Sequence, residues 1–168
     1  MGEAGYDGAA NFLDKFDHIF RTGHLPNVVK LALSRVPDEW LLTRAKPIRF
    51  FEVTDIAQAW FCRAGADAGT DFVFLDRRAA DLPPEQLAAV IAHELGHIYV
   101  RDKTGKPTPQ NTAGEKDADA WAVKWGFGIR LLEHLRSELK DPTLRSDIRA
   151  QLTEREEAVA AAVENTST

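Results

Sequence analysis

The chain has 168 residues, and its 44% hydrophobic and 28% charged residues are typical of one globular domain with a moderate core. The net charge of -5 argues against a nucleic-acid surface, and no basic stripe with interleaved aromatic residues is present. No apolar run approaches the roughly 20 residues of a membrane span, and the N-terminus lacks the features of a signal peptide. Since the single cysteine, Cys62, cannot form an internal disulfide, we predict a cytoplasmic protein that binds neither membranes nor nucleic acid.

The first part of the chain, residues 10–45, is predicted to be helical. Apolar residues recur at helical spacing between Phe12 and Phe20, which indicates an amphipathic helix. Pro26 can begin a second helix and Pro37 a short third one, because proline is tolerated in the first helical turn.

Three segments with strand-like patterns follow, at Ile48 to Val53, Ala57 to Arg63 and Asp71 to Asp76. Their short connections favour a small, mainly antiparallel sheet. We expect the third strand at a sheet edge, where it could pair with an extended peptide. The alternative, a third strand covered by other elements, stays open.

The chemistry of the chain is concentrated in the pattern H-E-x-x-H, formed by His93, Glu94 and His97. Apolar residues at threes and fours from Leu87 onward, after a proline-containing start, predict a helix that continues to Val100. Positions four apart share a helix face, so both histidines can reach one metal ion, and neutral imidazoles suit zinc. Glu94 lies beside this face and can take a proton from water that the metal activates. The competing interpretation is a buried helix with two incidental histidines.

A polar segment, residues 101–114, is predicted to be a loop that leads to the second half of the site. Glu115 and Asp119 lie four apart on one helical face, and the small residues Ala118 and Ala122 beside them would let this helix approach the first one closely. Gly96, without a side chain, would let another backbone or the sheet come close to the first helix. Glu115 can supply a third zinc ligand, and Asp119 can orient a ligand histidine through a hydrogen bond. In the alternative, Thr112 and Glu115 form a capping box, and Glu115 serves only its own helix.

The H-E-x-x-H pattern followed by Glu115-x-x-x-Asp119 resembles the gluzincin metallopeptidases. The run from Glu115 to Ala122 is similar to the signature of the soluble minigluzincins and of the membrane CAAX-prenyl and heat-shock proteases. The similarity to the ImmA/IrrE regulatory proteases is more distant. The resemblance to the gluzincins covers residues 71–127. The membrane helices of the larger relatives are missing here, so the substrates of those relatives are not expected for this chain.

The resemblance implies a zinc metalloendopeptidase with one zinc ion per chain and a peptide or protein substrate. By this resemblance His93, His97 and Glu115 are the zinc ligands, Glu94 is the general base and acid, and Asp119 orients a histidine. Some gluzincins use a tyrosine or histidine to stabilise the transition state. No motif places this residue here, and the candidates are Tyr99 and His134.

We therefore predict one α+β, zincin-like domain over residues 1–168. It would contain a small, mainly antiparallel three-stranded sheet packed on an active-site helix, a glutamate-bearing helix, a catalytic core over residues 47–128 and a helical tail over residues 129–168. A narrow apolar stripe from Leu144 to Val163 predicts that this tail packs on the domain, binds a partner or self-associates. Two other functions stay open: a regulatory or binding module with structural zinc, and a latent peptidase specific for one partner protein.

Overall fold

The computed structural model of the protein describes residues 24–53, 62–66, 69–76, 79, 81–106, 108–109 and 111–166. In chain order its elements are α1 (Leu25–Leu33), α2 (Asp38–Thr43), β1 (Ile48–Val53), β2 (Cys62–Ala66), β3 (Asp71–Asp76), α3 (Pro84–Thr104), α4 (Thr112–Ala122), a π-helical turn (Val123–Phe127), α5 (Gly128–Glu138) and α6 (Ser146–Thr166). The predicted helices after Pro26 and Pro37 are α1 and α2. The predicted helix between Phe12 and Phe20 lies outside the described residues.

Helix α3 is the central element of the fold. Every residue from Leu87 to Gly96 is buried, so all faces of this part of the helix are covered. Helices α1, α4 and α5 and strands β2 and β3 pack around it. The helix begins at Pro84, directly after Pro83, and is capped at its end by Gly105, whose left-handed backbone (φ 66°) donates its N–H to the Arg101 carbonyl. It therefore continues one turn beyond the predicted end at Val100.

The sheet has the strand order β1-β3-β2. Strand β3 is paired in parallel with β1, where Phe50 lies opposite Val73, and antiparallel with β2. Alternate residues of β1 and β3, among them Phe50 and Val73, are buried in the core. The opposite face carries Phe51, Phe72 and Phe74, whose ring centroids lie 5.6–5.9 Å apart.

The predicted fold class, with a mainly antiparallel three-stranded sheet, is wrong. Helices dominate the described chain, and the small sheet contains a parallel pair. The chain reverses direction between β1 and β2 and again between β2 and β3, so β3 runs in the same direction as β1 and inserts beside it. The prediction that β3 lies at an edge is also wrong, because β3 is the central strand. The part of the second predicted strand from Ala57 to Phe61 lies outside the described residues.

A cluster of four charged side chains, the salt-bridge cluster, joins the C-terminal end of α3 to the sheet and to α2. It consists of Arg44, Asp71, Arg101 and Asp102. Asp71, at the start of β3, is fully buried and accepts hydrogen bonds from Arg44 and from Arg101 Nη2, the latter at 2.5 Å. Asp102 Oδ2 accepts from Arg44 Nη1 at 2.6 Å and from the Trp40 indole at 3.0 Å. This network fixes the far end of the central helix.

Among the described helices, none is long and apolar enough to cross a membrane.

Candidate metal centre

Two imidazoles project from adjacent turns of the central helix. His93 and His97 are four residues apart on α3, and their Nε2 atoms lie 3.2 Å from each other. Their ring planes are nearly perpendicular, with centroids 4.7 Å apart. His93 is 6% exposed, so its imidazole is largely removed from water. The helix thus directs both Nε2 atoms to one point, as the spacing in the sequence predicts.

Helix α4 places a carboxylate at the same point. Glu115 Oε2 lies 3.3 Å from His93 Nε2, and Glu115 Oε1 lies 3.4 Å from His97 Nε2. The close packing of α3 against α4 makes this possible, because a Cβ atom on Gly96 would lie only 2.7 Å from the Ala118 carbonyl oxygen. The missing side chain at position 96 therefore sets the distance between the two halves of the cluster.

Glu115 does not cap helix α4, so the alternative interpretation of this residue is wrong. The side chain that caps α4 is Asn111, which accepts a hydrogen bond from the Gly114 N–H at 3.1 Å. Thr112 is the first residue of the helix, and the Glu115 carboxylate lies against the histidines. Glu115 is thus free of a capping function and available as a ligand.

Asp119 lies one turn beyond Glu115 and contacts the other nitrogen of His93. The distance between His93 Nδ1 and Asp119 Oδ1 is 2.7 Å, and Asp119 is 1% exposed. Burial raises the pKa of Asp119, but the charge of His93 and a hydrogen bond from Arg155 outweigh this effect and lower it to about 2. Asp119 is therefore ionised at neutral pH, and the proton on His93 Nδ1 donates to it. This bond leaves Nε2 directed at Glu115 and His97.

His93, His97 and Glu115 could together hold a metal ion, because one ligand atom from each lies within 4.8 Å of the others. His93 Nε2 lies 3.2 Å from His97 Nε2 and 3.3 Å from Glu115 Oε2, and His97 Nε2 lies 3.4 Å from the other oxygen, Glu115 Oε1. A tetrahedral zinc ion with bonds of 2.0–2.1 Å separates its ligands by about 3.3–3.4 Å. The donor atoms are thus of the kind that zinc binds, and each contact is close to the separation of two zinc ligands, although the two contacts of Glu115 are made by different oxygens.

The proposed base, Glu94, follows His93 directly on α3 and is 6% exposed. Its negative charge is one of the factors that raise the pKa of Arg155, so its carboxylate lies within electrostatic reach of that guanidinium. The structure thus brings His93, His97, Glu115 and Asp119 together at the interface of α3 and α4 and places Glu94 within electrostatic reach of Arg155.

Arg155, on the C-terminal helix α6, belongs to the same cluster and was not predicted. Its Nε and Nη2 atoms donate to the two oxygens of Asp119, each at 2.8 Å. Its Nη1 atom lies 3.0 Å from Glu115 Oε2. The sequence contained a weak sign that Arg155 faces the domain. The apolar stripe of the tail includes Leu152 and Val159 but has no apolar residue in the helical turn between them. Arg155 and Glu156 occupy that turn and are both half-buried.

These charges determine the protonation of the metal-free cluster. Burial lowers the pKa of His93, and the Arg155 charge lowers it too, but the Asp119 charge and hydrogen bonds to Asp119 and Glu115 raise it to about 9. Burial raises the pKa of Glu115, yet hydrogen bonds from both histidines hold it well below its ordinary value. At neutral pH a metal ion must therefore displace a proton from His93.

The two candidates for a transition-state stabiliser lie in different surroundings. Tyr99 belongs to an aromatic cluster, and its ring centroid is 4.3–5.5 Å from those of Trp40, Trp121 and Trp125. His134, on α5, is half-buried, and the charges of Arg155, His93 and Asp119 act on it. Burial, followed by the Arg155 charge, lowers its pKa to about 4. His134 is therefore neutral at pH 7 and interacts electrostatically with the metal cluster, the name used for the candidate metal centre formed by His93, Glu94, His97, Glu115, Asp119 and Arg155.

Comparison of the chain with models of protein families, with curated proteins and with solved structures finds no match. The functional assignment therefore depends on the geometry and chemistry of the residues described above.

Proposed function

We propose that this chain is a zinc-dependent endopeptidase that holds one zinc ion between α3 and α4. The observation that carries the proposal is the convergence of His93 Nε2, His97 Nε2 and the Glu115 carboxylate at separations suited to tetrahedral zinc. Within the described part of the chain, three residues offer ligand atoms to this candidate metal site. Three protein ligands are typical of catalytic zinc, whereas structural zinc has four.

When bound, zinc would supply a Lewis acid that polarises a carbonyl group and lowers the pKa of water toward roughly 7. Glu94 provides the base. Its carboxylate takes a proton from the attacking water and then donates that proton to the amine that leaves the cleaved peptide bond. Asp119 holds the proton of His93 on Nδ1 and fixes the orientation of the ring.

Three features support peptide hydrolysis over simple metal storage. The base is adjacent to a ligand in the H-E-x-x-H arrangement of metalloproteases. Glu94 is buried, which strengthens electrostatic interactions at the point where the proton moves. His97 and Glu115 are the more exposed members, with side chains 18% and 19% exposed, so the cluster is open to solvent on their side.

The test is the substitution Glu94→Gln, which removes the base and nearly conserves the volume. We expect the variant to bind one zinc ion per chain and to lose hydrolysis by about 10²–10⁴-fold, the usual contribution of a general base. Zinc content is measured by elemental analysis, and hydrolysis with a quenched-fluorescence peptide library.

The matched control is His97→Ala, which is expected to lose zinc and activity together. Wild-type activity in Glu94→Gln would exclude the mechanism. A wild-type protein that binds zinc but cleaves no peptide in the library would instead favour the binding module or the latent peptidase specific for one partner protein.

A further inference from the structure

The C-terminal helix contributes one side chain to the candidate metal centre. Arg155 reaches from α6 to α4, where its guanidinium contacts Asp119 through two nitrogens and Glu115 through the third. Its side chain is 12% exposed, and its Nη2 atom is 3.4 Å from His93 Nδ1. All three nitrogens are thus used on residues that hold or orient the metal.

These contacts fix the orientation of the carboxylates in addition to neutralising their charge. A guanidinium is planar and rigid, so the pair of bonds to Asp119 fixes the plane of that carboxylate. Asp119 in turn fixes the His93 ring through Nδ1. The contact with Glu115 restrains the oxygen that faces His93 Nε2. One side chain therefore restrains two of the three candidate ligands.

The charge of Arg155 and its geometry have opposite effects on metal binding. A positive charge close to the site repels a cation, so charge alone predicts that removal of Arg155 would tighten zinc binding. Orientation of Asp119 and Glu115 predicts the reverse, because partners of metal ligands typically contribute 10–100-fold to affinity. A substitution that keeps the positive charge but removes the planar guanidinium with its pair of N–H donors separates the two effects.

We infer that Arg155 is a positioning residue of the metal centre, and that through it the C-terminal helix is a structural part of the site. The inference rests on the proposed zinc site. It assigns to α6 a role beyond packing: docking of α6 pre-orients Glu115 and Asp119, and metal binding in turn strengthens the docking, since coupling of this kind is reciprocal.

The decisive variant is Arg155→Lys, with Arg149→Lys as its matched control. Arg149 is also an α6 arginine, but it docks the helix by donating to the backbone carbonyls of Leu139 and Asp141, outside the metal cluster. We expect zinc affinity to fall by about tenfold in Arg155→Lys and to stay within twofold of wild type in Arg149→Lys.

A second measurement separates orientation from helix docking. With cobalt(II) at saturating concentration, the visible absorption bands report the ligand geometry of filled sites only. Altered bands in Arg155→Lys, together with unchanged bands in Arg149→Lys, are expected. Unchanged affinity and bands in Arg155→Lys would overturn the inference.

A third measurement uses the wild type and does not depend on a variant that folds. Zinc is expected to slow hydrogen exchange of the α6 amides around Arg155, in addition to those of α3 and α4. Protection confined to α3 and α4 would overturn the inference and leave the zinc site intact. A wild-type chain that binds no zinc would overturn both proposals.

Discussion

The central helix carries two buried polar clusters that differ in their balance of charge. In the salt-bridge cluster two arginines, Arg44 and Arg101, contact two aspartates, Asp71 and Asp102. At the metal cluster two carboxylates, those of Glu115 and Asp119, form ion pairs with one arginine of the described residues, Arg155. The first cluster is therefore neutral by itself, whereas the second requires further positive charge.

This difference supports the proposed division of roles, in which the salt-bridge cluster serves architecture and the metal cluster serves function. Buried charges are costly unless they are paired, and the salt-bridge cluster completes its pairing within the chain. At the metal cluster the missing positive charge can come from a proton on His93, whose pKa is raised to about 9, or from a metal ion. A cluster that can exchange a proton for a cation is suited to bind metal, whereas a closed ion network mainly holds elements together.

The sharpest test of the comparison is to remove one carboxylate from each cluster. Asp71→Ala leaves the buried Arg44 and the half-buried Arg101 with Asp102 only, so we expect a loss of about 3 kcal/mol in the free energy of unfolding and unchanged zinc content. Glu115→Ala is expected to lose zinc with a smaller loss of stability, because Asp119 still partners His93 and Arg155. Urea denaturation of the metal-free proteins and elemental analysis measure the two effects.

The control for this pair is Asp102→Ala, which removes a carboxylate that is 27% exposed and should destabilise less than Asp71→Ala. Loss of zinc in Asp71→Ala, or full zinc content in Glu115→Ala, would abolish the division of roles between the two clusters.

The next effect concerns the spacing of α3 and α4. In Gly96→Ala the new methyl group meets the backbone of Ala118 at 2.7–3.0 Å, and backbone atoms cannot rotate away. We expect a loss of about 1–3 kcal/mol in stability and weaker zinc binding, since the helices must separate and Glu115 moves with α4. Denaturation and zinc titration provide the measurements.

Gly105→Ala is the matched control, because Gly105 has a positive φ but open space around it. It should lose stability through backbone strain alone and bind zinc as wild type does. Equal zinc affinity in all three proteins would show that the helix spacing does not govern the site.

The mildest perturbation is a change of pH, which replaces no side chain. The pKa of His93 is raised from 6.5 to about 9 in the metal-free protein, so zinc competes with a proton below pH 9. The apparent zinc affinity should rise by about tenfold per pH unit between roughly pH 6.5 and 9 and level off above that range. The stability that protonated His93 adds to the metal-free protein is complete below pH 6.5 and is lost as the pH rises through 9.

Zinc titrations against a chelator with known pH dependence measure this slope. In Asp119→Asn the negative charge that raises the pKa is absent, and the slope between pH 7 and 9 should disappear. A flat profile in the wild type would mean that His93 is already neutral in the metal-free protein.

Several features of the site could be predicted from the sequence because they depend on local geometry. Helical periodicity places His93 and His97 on one face, and the same rule relates Glu115 to Asp119. The absence of a side chain at Gly96 predicts that another backbone or the sheet lies close to the helix, and the backbone of α4 occupies that position. These relations hold within a helix, or across one helix contact, whatever the rest of the chain does.

The sequence by itself thus determined the described helices and the two pairs of candidate residues, His93 with His97 and Glu115 with Asp119, since these follow from spacings of three to five residues and from side-chain chemistry. Only the tertiary structure decided the parallel pairing of β1 with β3, the balanced cluster around Asp71 and the presence of Arg155 beside Glu115. Each of these joins segments that are at least 18 residues apart in the chain. Such contacts are selected by the packing of the whole core around α3, and no local pattern specifies which partner a buried strand or charge will find.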